Sequence, residues 1–187
     1  MQQKTSRIRV RRLPIHLESD DRRVIARPFI LGSNRVQSLF NRIALLPEDE
    51  VAILLEQVEH AYAERHEHLR GLFNEHYNDG AAMIGFSDGW SRARKLLAGA
   101  YLTVEYSVES AALFNPSIVP HPDQSSAPSG GVRIVMSLRA TGEGHVSSIV
   151  FRTGTITPGG KVRLYPLPPT LHRSRISPDR NHLKSLF

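Results

Sequence analysis

Near Phe114 the apolar residues of this chain change from helical spacing to alternation, and that change separates a helical region from a run of strands. Upstream, Val36, Leu39, Phe40 and Ile43 recur at three- and four-residue intervals behind Ser33, a residue type that caps helix starts. Pro47 fits the first position of a second helix, with Glu48, Asp49 and Glu50 in the first turn, where the helix dipole favours anions. Its apolar stripe is Val51, Leu54, Leu55, Val58 and Tyr62. Residues 66–77 continue as helix with Leu69, Leu72 and Phe73 inward, until Asn78-Asp79-Gly80 supplies a break. The pattern predicts a further helix over about 87–98, containing Trp90, and a last one from Thr103 to about Ala112.

From Phe114 onward the spacing is two, through Ile118 and Pro120, then Ile134, Met136 and Leu138, then Ile149 and Phe151. A polar loop over residues 121–131 and the turn residues Thr157-Pro158-Gly159-Gly160 separate these runs, and the turn leads into a last strand over 161–165. The product is four antiparallel strands in sequence order. At the other end of the chain, residues 5–18 alternate Arg with Ile, Val and Leu, the pattern of a short strand interrupted at Pro14. No internal repeat accompanies the strands.

Composition narrows the chemistry. The sequence has 187 residues, 40% hydrophobic and 22% charged, enough for one core. It has no cysteine, which excludes disulfides, thiolate chemistry and cysteine-based zinc sites. The basic start lacks the apolar core of a secretory signal, and no run approaches the length of a membrane span, so a cytoplasmic location is expected. The net charge of +6 resides in the ends: residues 1–35 carry +6 and residues 161–187 carry +5, against −5 between them. Basic arms can neutralise phosphates, but without a recognition motif they give only non-specific contact, so nucleic acid is not the expected partner. His60, Glu64 and His68 are spaced for one helix face, with His66 and His76 near. Yet HEHLR is not HExxH, and a solvated helix surface accounts for them, so no metal is expected.

Five segments carry a resemblance. The FNPS turn at 114–117, the SLRA strand at 137–140, the GEGHVSSIVFR strand at 142–152, and the RVIARPF and KLLAGAYLTVEYS runs upstream resemble glycoside hydrolase family 130, the β-mannoside phosphorylases and β-1,2-mannosidases. The resemblance implies an α+β chain: an N-terminal arm and helical region over residues 1–112, then one four-stranded antiparallel blade over 113–166 of a truncated five-bladed β-propeller, then a loosely ordered basic, Pro-rich tail over 167–187. It further implies a β-mannoside oligosaccharide as ligand, with inorganic phosphate as co-substrate in phosphorolytic members, and the remaining propeller blades as the missing partner. The helical extension is closer to the hydrolytic branch. No metal or organic cofactor is implied, because protonation and water attack need none.

Inverting cleavage of a glycosidic bond needs an acid on the leaving oxygen, and a base-activated water or a phosphate on the other face. The resemblance places those groups on later blades and assigns no catalytic residue here, so inactivity of this chain alone is expected. What it carries over is part of a sugar pocket. Asn115 has an amide that can give and accept hydrogen bonds to vicinal hydroxyls, or it caps a turn before proline. Arg139 can fork onto ring hydroxyls, or it forms a structural ion pair. Glu143 and His145 lie in a loop whose glycines allow either close ligand approach or a tight hairpin. Ser147 and Ser148 point to opposite sides of a strand, so at most one faces the pocket. The rival reading is a non-catalytic binding or regulatory module that uses the helical layer for docking and the basic arms for an anionic partner.

Overall fold

The computed structural model describes residues 10, 12–29, 32–87 and 89–171. Within these, the chain is α+β, with four helices and two antiparallel sheets, one of two strands and one of four. In chain order the elements are β1 (Val24–Pro28), α1 (Ser33–Ala44), α2 (Glu48–Ala63), α3 (Leu69–Ile84), α4 (Arg92–Tyr101), β2 (Thr103–Ser107), β3 (Ala112–Pro120), β4 (Val132–Thr141), β5 (Ser147–Ile156) and β6 (Val162–Leu164). None of the helices is long and apolar enough to cross a membrane.

Helix α1 buries Val36, Phe40 and Ile43, the periodic residues of the sequence. Its start differs from the expectation: Gly32, at φ 99°, occupies the cap, and Ser33 is already helical and makes no capping bond. Pro47 likewise stands one place earlier than expected, as the cap of α2 rather than its first residue. The two helix ends meet on Arg94. Its guanidinium donates to the carbonyls of Ile43 and Leu46, the latter at 2.7 Å, and to Glu48 Oε1 at 2.7 and 2.9 Å. Carbonyls at and just past the end of α1 thereby gain a charged donor from a buried arginine. Ser91 caps α4 by accepting from the Arg94 amide at 3.1 Å, so that helix starts at Arg92, five residues later than the predicted start.

Two expectations fail in this half. Asn78-Asp79-Gly80 does not break α3, which runs on to Ile84 and closes at Gly85, φ 63°. Packing overrides local propensity there: Tyr77 and Ala81 are core residues, and a Cβ on Gly80 would stand 2.4 Å from Leu102 Cδ1. Gly99 of α4 is tighter still, where a Cβ would stand 1.7 Å from the Phe73 carbonyl oxygen, so the α3–α4 crossing requires glycine. The helix predicted over 103–112 is instead β2, paired antiparallel with β1 from Val24↔Ser107 to Pro28↔Thr103. TVEYS has the β-branched and aromatic content of a strand, and its partner lies far upstream.

The four-stranded sheet has the order β3-β4-β5-β6, as the sequence predicts. Its inner face carries Met136, Leu138, Ala140 and Val150, packed against Tyr106 and Val108 at the end of β2. Leu17 and Leu171 add to that core from either end of the described chain. The strand expected over 5–18 is absent across residues 12–18, where the chain lies on the sheet without a ladder; residues 5–9 and 11 lie outside the described residues. Of the tail, residues 172–187 also lie outside them, whereas Thr170 donates to Glu67 at 3.0 Å.

Helices and sheets are joined by ion pairs. Glu105 of β2 accepts from Arg65 at 2.9 and 3.1 Å and contacts His66 Nε2 at 2.6 Å. Partial burial pushes the Glu105 carboxyl up, but the hydrogen bonds from Arg65 and His66 outweigh it and hold the group below its ordinary value. Deeper inside, fully buried Glu109 is held by Arg23 at 2.9 Å and by Arg152 at 2.7 Å. This triad ties the segment before β1 and the β2–β3 connection to the centre of β5.

Candidate functional site on the open face of the sheet

The site begins with a misfit in the β3–β4 ladder. Phe114 faces Arg139 and Ser117 faces Ser137, so Asn115 and Pro116 together stand opposite one residue of β4. That is a β-bulge, which bends the strand and re-aims a side chain. Asn115 takes φ 53°, a left-handed conformation that Asn tolerates better than most residues. Pro116 follows, with no amide to lose from the ladder.

Beside the bulge, Arg139 lies on the sheet's outer face with its guanidinium 5.2 Å from the centre of the Phe114 ring. Its Nε and Nη2 donate to Ser147 Oγ at 3.1 and 2.9 Å. The arginine is thus held over an aromatic ring and by a hydroxyl from the next strand, while remaining exposed. Asn115, Arg139 and Ser147 come to one end of the sheet, with Phe114 among them. Phe114 was not singled out as a site residue in the sequence; the available signal was its place directly before Asn115.

The other candidates fall elsewhere. Ser148 pairs with Ala140 and belongs to the inner-face side of β5, away from Ser147. Glu143 and His145 form a single exposed 3-10 turn between β4 and β5, with Gly144 at φ 62° and His145 at φ 60°. The glycines there serve the hairpin: a Cβ on Gly142 would stand 2.3 Å from the Ser107 carbonyl oxygen, while Gly144 has open space around it and needs its glycine for backbone angle. Both side chains are exposed, in the turn that joins β4 to β5.

The histidine group does not assemble. Helix α2 ends at Ala63, and His68 sits at φ 58° before α3, so His60, Glu64 and His68 do not share a helix. His66 instead engages Glu105, and buried His76 contacts Thr103 Oγ1 at 2.7 Å. Among the described residues, no three His, Cys, Asp or Glu side chains converge as metal ligands. The Arg23–Glu109–Arg152 triad was missed by sequence reasoning. An arginine alternating with Val150 on the face that turns inward was the available signal.

The uncovered face of the sheet continues from this cluster. Ile149 is 62% and Phe151 59% exposed, and Val119 of β3 is 54% exposed. The face therefore carries exposed apolar side chains interleaved with Ser117 and Ser137, with Ile149 directly opposite Arg139. Comparison with protein-family models, with curated proteins and with solved structures gives no match.

Proposed function

We propose that the four-stranded sheet is one blade of a β-propeller of the family 130 kind, and that its Asn115–Arg139 end forms one wall of a β-mannoside-binding cleft. In this reading the chain is the front part of a β-mannosidase or phosphorylase and is inactive by itself. The observation that carries the reading is the guanidinium of Arg139, spread on Phe114 and braced by Ser147 next to the Asn115 bulge. An aromatic face beside fixed donors suits a sugar, whose rings offer apolar C–H patches edged by hydroxyls. The exposed Val119, Ile149 and Phe151 on the same face are what a neighbouring blade would cover.

Support for inactivity comes from the carboxylates. Strands β3, β4 and β5 contain no Asp or Glu, and Glu143 is the single acid in the turn that joins β4 to β5. Glycoside hydrolysis requires two such groups facing across the scissile bond, and phosphorolysis one acid with a bound phosphate. Protein–sugar contacts of Arg139 and Asn115 would hold the ligand without breaking it.

Calorimetric titration of the full chain with β-1,2-mannobiose tests this. Weak binding is expected, with Arg139→Ala and Asn115→Ala each weakening it by roughly tenfold, the size of one lost hydrogen bond to a charged or fixed donor. Turnover is expected to be nil with or without phosphate. Absence of binding, or binding untouched by both substitutions, would sink the sugar site, and turnover by the pure chain would sink its inactivity.

A further inference from the structure

Two stripes of opposite charge and equal spacing lie on consecutive helices and make no use of each other within one molecule. On α1, Arg35 and Arg42 stand seven residues apart, about 10 Å along a helix. They border a cleft of about 300 Å³ with Leu39 of the same helix, Phe29 and Tyr101. Phe29 is 44% and Tyr101 49% exposed. On α2, Asp49 and Glu56 are likewise seven residues apart, with Ile53 between them, 55% exposed. Among the described residues none of these four charged side chains forms an ion pair. Two other acids of α2 are already engaged: Glu48 holds Arg94, and Glu59 holds Arg70.

We propose that the α1 cleft receives α2 of a second copy of this chain. The basic stripe has an apolar centre formed by Leu39, Phe29 and Tyr101. The acidic stripe has an apolar centre formed by Ile53. Laid together, Ile53 enters the cleft and the carboxylates of Asp49 and Glu56 meet the guanidiniums of Arg35 and Arg42, because both pairs have the same axial separation. Since α1 and α2 are consecutive, a two-fold axis lets each copy give its α2 and receive the other's, so both contacts form in a closed dimer. Charge complementarity selects this occupant: the cleft calls for an apolar knob flanked by acids two turns apart, and the chain itself carries one on an exposed helix face. The inference is independent of the sugar site, which lies on the sheet.

Sedimentation equilibrium of the full chain, at low and high salt, is the test. A dimer is expected whose dissociation constant rises with ionic strength, as exposed charge pairs require. The double variants Arg35→Glu with Arg42→Glu, and Asp49→Lys with Glu56→Lys, should each weaken it by roughly tenfold or more, through several exposed pairs lost and made repulsive at once. Far-UV circular dichroism checks that each variant folds. An equimolar mixture of the two variants should recover the dimer, because every reversed charge then meets its opposite. A chain that stays monomeric, a dimer indifferent to both reversals, or variants that remain apart on mixing would overturn the proposal, the first leaving the cleft to some other acidic helix.

Discussion

The helical layer and the four-stranded sheet bury their apolar residues in different ways. In the layer, Phe40 is enclosed by rings on several sides: Phe86 at 4.8 Å edge-on, Trp90 at 5.2 Å and Tyr77 at 5.7 Å stacked. In the sheet one face is closed over Met136 and Leu138, while Ile149 and Phe151 on the other stand in solvent. The layer completes itself with its own side chains. The sheet completes one side only, and on the other leaves Val119, Ile149 and Phe151 more than half exposed.

This contrast can be broken by substitution. Phe40→Ala should have the largest effect, destabilising the chain by about 3–5 kcal/mol in urea unfolding, since the ring has no exposed surface to fall back on. A loss under about 1 kcal/mol would mean that the layer is looser than its geometry. Glu109→Ala tests the joint between the two regions: Arg23 and Arg152 would be left buried without their counter-ion, and the expected loss is again about 3–5 kcal/mol, at the lower end if water reaches Arg23. Coincident unfolding of helices and sheet in the parent, and separate transitions in this variant, would show that the triad couples them. Phe151→Ala should change stability by no more than about 0.5 kcal/mol, because the ring is largely exposed. A large loss there would show that the outer face is covered after all.

Residues with strong local signals were legible in the sequence. Val36, Phe40 and Ile43 announce α1, Val51 and Leu55 announce α2, and the alternation after Phe114 announces the strands and their order. What escaped depends on partners distant along the chain. TVEYS becomes a strand because VIARP is available to pair with it, and Gly80 stays helical because Leu102 presses on it. Neither partner is visible in a local window. The Asn115–Arg139 group lies between these cases: its residue types were readable, but Phe114 and Ser147 enter through a cross-strand register that a bulge resets. The split of Ser147 from Ser148 followed from strand alternation alone, whereas the isolation of His68 required the end of α2 to be known.

The bulge has one more effect. Strand β3 is one of the two edge strands of its sheet, and Pro116 and Pro120 deprive it of two amide donors while the Asn115 kink bends its line. Another strand approaching sideways would find too few donors in register to zip on, so lateral growth into ribbons or fibrils is discouraged even though the flat of the sheet is greasy. The molecule can be met on its broad side and resists extension along its β3 border.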